Sequence, residues 1–344
     1  MAQPIPASHL TPWITEAALQ HGERLPEHLM ERLGIGRRRA GTLLRQLVAM
    51  QCLQSLGTPR KPRHAPGALR QVVKRYALAG LQEDAPWRRE FDACFTLPAA
   101  VRRMAQHAFT ELLNNAIDHS GGTSVTVSMR QTPLQLQLLV SDDGCGLFRR
   151  IEDSFAIGEP TLAMLELSKG KLTSAPATHS GHGLFFTSRL ADVFDIHANE
   201  AAFQCRAWEG RRWREGRPAA RTGTSVYLAI SLDNPRTLDE VLQAHAVRPE
   251  ARTFERTVVP LHLIGRGPQG ALALASRAEA RRVAARLADF RGVELDFEGI
   301  ADIGHGFADE LFRVFGQAHP DLALTPVHMA PRVAAMVAAV RAPA

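Results

Sequence analysis

Apolar and polar positions alternate along this chain with periods that change twice, and the changes divide it into three blocks. In the first block apolar residues recur at Ala40, Leu43, Leu44, Leu47, Val48 and Met50. That spacing marks one face of a helix and predicts helix over Arg37–Leu53. A shorter helix is expected over Pro26–Leu33, and Gly34-Ile-Gly36 suits the tight turn between them. In the second block, a helix is expected through Phe109–Ser120. A step of 100° per residue from Glu111 puts Asn115 at about 40° and Asp118 at about −20°. Those polar groups share a face, while Phe109, Leu112, Leu113, Ala116 and Ile117 fall on the opposite arc. Val125–Val127 and Leu134–Val140 read as paired strands, Arg189–Phe194 as helix and Gly223–Ile230 as a closing strand. The third block alternates. Strands are expected at Thr257–Ile264, Ala271–Ala275, Val293–Phe297 and Leu322–Pro326. Helices are expected from the capping box Ser276–Glu279 to Asp289, over Phe307–Phe315, with Asp309 and Glu310 on its exposed face, and over Arg332–Val340. Strand–helix alternation predicts a small α/β domain.

Composition narrows the class. The chain has 344 residues, 45% hydrophobic, with a formal net charge of +6. The longest apolar stretches, near Leu43–Leu56 and Val333–Val340, fall short of a membrane span. Met1–Leu10 has no signal-peptide pattern, and the four cysteines form no CxxC pair, so a cytoplasmic protein with reduced thiols is expected. Charge is uneven: between Arg24 and Arg75 twelve Lys/Arg face only Glu27 and Glu31, a local +10. Such a patch is either a nucleic-acid footprint or a solvated surface. Composition shifts at Gly57–Gly67 and around Leu232–Thr253 suggest boundaries. Four parts result: 1–66, a helical connector over 67–97, 98–232, and 254–344. With Leu53–Leu56 and the Pro/Arg run as a short wing, the first part resembles a winged helix-turn-helix. That resemblance puts Arg37, Arg38, Arg39, Thr42 and Arg45 at the start of a recognition helix facing DNA phosphates and base edges. The other reading is a helical dimerisation or sensor module.

The sharpest chemistry lies in the second block. One helix face offers the carboxylate of Glu111 and the amide of Asn115, and magnesium accepts such oxygen ligands. A strand leads into Ser141-Asp-Asp-Gly-Cys-Gly-Leu147, where glycines let the backbone turn sharply beside an acid. Ser180-Gly-His-Gly-Leu184 precedes a helical run, and glycines there leave N–H groups free for phosphates. Gly223-Thr224 opens the last strand. In order and spacing these segments resemble the motifs of the GHKL superfamily of gyrase, chaperone, histidine-kinase and mismatch-repair ATPases. Glu111 and Asn115 stand in the N box, Asp142, Gly144 and Gly146 in the first glycine box, Gly181 and Gly183 in the second, and Gly223 and Thr224 in the third.

The resemblance implies an α+β protein whose centre is a Bergerat-type two-layer sandwich. It implies ATP and Mg²⁺ as cofactors, with Glu111 as general base, Asn115 holding the metal and Asp142 reading adenine. The glycines would frame an ATP lid over about Phe148–His182. Lys169 and Lys171 within that lid, and His119 one turn after Asn115, are candidate phosphate contacts. Asn-Ala-Ile-Asp-His-Ser120 looks closest to the anti-sigma-factor serine kinases, and no histidine stands in the setting of a two-component phosphoacceptor. The third block resembles STAS-like domains, yet Asp302-Ile-Gly-His-Gly306 has no hydroxyl where such proteins accept phosphate, which makes protein docking its expected role. Three functions follow: an ATP-controlled regulator of DNA or partner binding, a serine/threonine kinase acting on a separate protein, or a non-catalytic nucleotide-binding interaction protein. The oligomeric state stays open, a homodimer among the options.

Overall fold

The computed structural model describes residues 5–58, 61–172, 181–246, 253–265 and 274–342. The chain forms two compact units. One comprises Met1–Leu147, Ala191–Ala202 and Pro218–Pro235, the other Phe148–Leu190, Phe203–Arg217 and Arg236–Ala344.

In the first unit, α1 (Thr11–His21), α2 (Leu25–Leu33) and α3 (Arg37–Ala49) precede an antiparallel hairpin of β1 (Leu53–Thr58) and β2 (Lys61–Pro66). Helix α3 ends before Leu53, and Ala40, Leu43, Leu44 and Leu47 of its apolar period join Leu10, Ile14, Leu25, Leu29 and Leu53 in one core with Val48 packed against it, whereas Met50 is exposed. Gly34 takes the left-handed cap of α2 with φ +63°, the conformation glycine adopts without a Cβ clash. Residues 67–97, expected as a helical connector, instead hold strand β3 (Arg70–Ala77), which pairs antiparallel with β4 (Ser124–Gln131). Only Val72 of β3 is fully buried, so the apolar alternation that announces a strand is missing. Polar bonds tie α1 to this strand: the Gln71 amide donates to the buried Thr15 hydroxyl at 3.1 Å, and Lys74 reaches Glu16 at 2.7 Å and Glu90 at 3.2 Å.

The long α4 (Ala99–His119) buries Phe109, Leu112, Leu113 and Ala116, the face its sequence period assigns. Phe109 meets Trp87 and Phe91 edge-on at centroid distances of 5.4 and 5.0 Å. Strands β4 and β5 (Gln135–Asp142) alternate buried and part-buried positions, and β5 pairs with the late strand β9 (Thr224–Ser231). With β6 (Val193–Ala198) beside β9, the order in this unit is β3-β4-β5-β9-β6, antiparallel throughout. Asp142 thus ends an inner strand, next to the start of β9.

The second unit takes in the expected lid. It holds most of α5 (Leu147–Phe155), then α6 (Pro160–Lys169) and α7 (Gly183–Leu190). Helix α7 ends before β6, so the helix expected over Arg189–Phe194 lies earlier, where Phe185 and Phe186 bury their rings. Strand β7 (Ala201–Arg206) carries the chain into this unit and pairs with β8 (Trp213–Glu215). The stretch around 232–253, expected to link domains, contains α8 (Leu238–Gln243), capped by a Thr237/Glu240 box.

A parallel sheet of β10 (Arg256–Pro260), β11 (Gly292–Asp296) and β12 (Ala323–Val327) follows, with α9 (Arg277–Ala284) between the first two strands. The capping box at Ser276 forms as its spacing predicts, Ser276 Oγ accepting from the Glu279 amide at 3.3 Å. Helix α10 (His305–Ala308) runs on as a π-helical stretch over Asp309–Phe315 and ends in α11 (Gly316–Ala318), and α12 (Pro331–Arg341) closes the chain. The strand expected at Ala271–Ala275 falls largely outside the described residues. Asp309 and Glu310 are buried rather than on an exposed face. Arg313 and Arg277 neutralise Asp309, and Arg281 donates to Glu310 at 2.7 Å, which offsets the cost of removing two carboxylates from water.

Candidate nucleotide site

Asp142 is the centre of the arrangement in the first unit. Its carboxylate is buried, and Oδ1 accepts two backbone bonds, from Gly144 N at 2.9 Å and Thr224 N at 3.1 Å. The first and third glycine boxes are therefore joined through one oxygen, while no described residue is seen to bond Oδ2. Burial raises the Asp142 carboxyl above its usual range, and the two amides and the Arg221 guanidinium oppose that shift. Arg221 donates to the Asp142 carbonyl at 2.8 Å and to Ser141 Oγ, which also meets Ser225 Oγ at 2.6 Å.

The glycines here are spatial requirements. A Cβ on Gly144 would run into the Ser120 carbonyl, and one on Gly223, which has φ +90°, would meet the Asp142 carbonyl. Ser120 caps α4, and its carbonyl accepts from Cys145 N at 2.9 Å, so the end of the acid-amide helix interlocks with the glycine turn. Asn199 is a hub that sequence reading missed. Its side chain donates to the Cys145 carbonyl at 2.8 Å and accepts from Gly223 N at 3.1 Å, and it packs where a Cβ on Gly146 would stand. Thr224 adds a second brace, its hydroxyl accepting from Leu147 N at 3.0 Å. Asp143 fixes the outer side of the turn through the amides and hydroxyls of Thr123 and Ser124, which hold its carboxyl well below the usual range.

Glu111 and Asn115 lie one turn apart on α4, both half-buried, with His119 at its last residue. Asn115 Nδ2 is buried without a hydrogen-bond partner among the described residues. A buried amide with no partner is costly unless a ligand completes it, and the two amide ends exchange by rotation. This group therefore fits an ATP-bound cation or its water shell, which Asn115 could hold with Glu111 beside it.

Gly181 and Gly183 lie in the second unit, where Gly183 opens α7 and Gly181 has φ +67° against the Leu172 carbonyl. Lys169 and Lys171, expected to face phosphates, are engaged elsewhere. The Lys169 side chain is wholly buried and donates to Glu166 Oε1 and, at 3.0 Å each, to the carbonyls of Val283 and Ala285. Burial lowers its pKa and the Glu166 carboxylate opposes that shift. Arg286 closes the group, bonding Glu166 Oε2 at 3.0 Å and the Gly170 carbonyl at 2.7 Å, and Thr257 Oγ1 donates to the Lys169 carbonyl at 2.7 Å. Lys171 Nζ donates to the Asp289 carbonyl at 2.6 Å and stands 4.5 Å from the Phe290 ring centre. Its place in the lid sequence could not reveal partners more than a hundred positions away. Beside them Phe254 packs on Phe185 and Phe186, with His182 and His245 at the edges.

A buried acid at a strand end, gripped by glycine-shaped turns beside an acid-amide helix, belongs to ATP-binding domains of the GHKL kind. The family model for histidine kinase-, DNA gyrase B- and HSP90-like ATPases matches residues 100–234, and that for a STAS-like domain of unknown function matches residues 279–333. The chain thus carries an ATP-binding domain of that superfamily followed by a STAS-like domain. No curated protein matches it. Among the described residues no helix is long and apolar enough to cross a membrane.

Proposed function

We propose that this is an ATP-Mg²⁺-dependent regulator in which the STAS-like domain holds the ATP lid and nucleotide state controls binding of DNA by the N-terminal helices and hairpin. The observation that carries the reading is the burial of Lys169: the cation that ends α6 is committed to Glu166 and to two carbonyls of the C-terminal part. If ATP draws on this lysine, those bonds have to break, which would couple nucleotide state to the STAS-like domain. Glu111 would orient the attacking water, Asn115 would hold Mg²⁺ and Asp142 Oδ2 would accept from the adenine amino group. Support for DNA comes from α3, where Arg37, Arg38, Thr42 and Arg45 are exposed, Arg39 is half-exposed, and Arg45 leans on the Thr42 hydroxyl at 3.1 Å.

The test is fluorescence anisotropy of the full-length protein on random duplex DNA across a salt series, with and without ATP-Mg²⁺. Salt-dependent binding that shifts about fivefold or more with ATP, and is lost in R37A/R38A/R39A, is expected. Binding that ignores ATP, or no binding at low salt, overturns the coupling. Transfer of labelled γ-phosphate from ATP to a lysate protein would instead identify the serine/threonine kinase.

A further inference from the structure

The parallel sheet of the second unit ends in a group of side chains that none of these roles uses. Asp296 is the last residue of β11, Glu298 lies two residues on, and His328 directly follows β12. One ligating atom from each lies within 4.8 Å of the other two. Strand pairing fixes this spacing, since Asp296 stands opposite Val327 and Phe297 N donates to the Val327 carbonyl at 3.0 Å. His328 Nδ1 is 2.9 Å from Asp296 Oδ1, and that oxygen also accepts from Glu298 N at 3.0 Å. The carboxyl ends of strands are where open α/β sheets bind ligands.

A second imidazole stands by. His262, in the turn after β10, has Nε2 2.7 Å from the Trp213 carbonyl, while its buried Nδ1 has no partner among the described residues. A ring with one nitrogen on a backbone carbonyl and the other bare is how proteins set an imidazole for a metal. The charges of Asp296 and Glu298 act on this ring too.

We propose that Asp296, Glu298 and His328 form a binding site for a divalent transition-metal ion of the zinc or cobalt kind. One imidazole nitrogen with two carboxylate oxygens suits such ions, whereas magnesium and calcium favour all-oxygen sets. One group competes with the ion: Arg212 NH1 lies 2.7 Å from Glu298 Oε1, and its NH2 donates to the Glu298 carbonyl at 3.0 Å. The ion has to displace the first of these contacts. It also needs Nδ1 without its proton, so binding weakens on acidification. The charged groups acting on His328 are Asp296 and Glu298, which favour the proton, and Arg212, which disfavours it.

The experiment uses full-length protein stripped of metal by chelator and free of nucleotide. Zn²⁺ is titrated by calorimetry and Co²⁺ by visible absorption. One ion per chain is expected. H328N, in which asparagine tolerates the left-handed backbone at φ +54°, and E298Q should each weaken binding about tenfold or more. R212A should strengthen it several-fold by releasing Glu298, a gain that a purely structural Asp–His pair does not predict. E23Q, at an exposed acid of the first unit, should bind zinc as the parent does. His328 and Glu298 side chains are 65% and 47% exposed, so these variants fold. Absence of stoichiometric binding, or binding unchanged in both H328N and E298Q, overturns the proposal.

Discussion

Asp142 concentrates the demands on single residues. Two amides hold Oδ1, and Oδ2 is left for a ligand inside a buried carboxylate. D142N keeps an oxygen for the two amides but turns the outer acceptor into a donor. Hydrogen bonds to a charged group are worth about 1.5–3 kcal/mol. The variant should therefore bind ATP about tenfold or more weakly in calorimetry while melting close to the parent without nucleotide. A melting point lowered without nucleotide would show that Asp142 is structural instead. G223A is expected to fail differently, because a Cβ at φ +90° collides with the Asp142 carbonyl, so both fold stability and ATP binding should drop. Asp142, Gly144, Gly146 and Thr224 could be singled out as candidates from the sequence because each sits within a local motif. Asn199 and Arg221 were not, because their partners at Cys145 and Ser141 come beside them only when β5, β6 and β9 pair.

At the scale of elements, α6 shows how tertiary bonds redirect a side chain that sequence assigns to a ligand. Lysine beside glycine in a lid reads as a phosphate contact, but Lys169 ends inside the second unit, where removal of its charge would leave the buried Glu166 with Arg286 alone. Breaking a buried pair from one side costs about 3–5 kcal/mol. K169A should destabilise the second unit by about that much in urea unfolding, and K169M by less because it refills the space. Equal stability of K169A and the parent would contradict this account. The neighbouring aromatic cluster adds a dependence on pH. His245 lies against Phe185 and Phe254 with Arg189 near, and burial, then Arg189, pull its pKa down to about 4. The unfolded chain takes up that proton near pH 6.5 and the folded chain only near 4. Stability should accordingly be full above pH 6.5, fall as pH drops through that window, and level off below 4, a loss on the order of 3 kcal/mol. Urea midpoints between pH 7 and 4 measure it, and H245F should flatten the curve. The helices and strands of the third block were largely readable from their periods and the Ser276 capping box. The polar strand β3 was not, since its stability comes from pairing with β4 and from α1 rather than from an apolar stripe.

At the scale of the whole molecule, sequence order and compactness part company. Motif spacing leads to expected domain boundaries near 98, 232 and 254, while the family models match residues 100–234 and 279–333. The compact units divide differently, because Phe148–Leu190 and Phe203–Arg217 join the C-terminal part although they lie within the nucleotide domain's sequence span. Linear periodicity carries no information on which unit a helix joins. The consequence concerns where the chain can be cut. A chain ending at Pro235 keeps every strand of the first unit but loses β10, β11 and α9, with Phe254, Val283, Ala285 and Arg286. Met164, Leu165, Phe185 and Phe186, now buried, would be exposed, and Lys169 and Glu166 would return to water. Apolar burial of that kind is worth about 1.5–3 kcal/mol per side chain, more than a short helix holds alone. Hydrogen exchange of the truncated chain should therefore show α6 and α7 exchanging with little protection, while α4, β5 and β9 keep theirs. Protection of α6 and α7 equal to that in the full chain would mean that the lid stands without the C-terminal part, and the coupling drawn from Lys169 would fall with it.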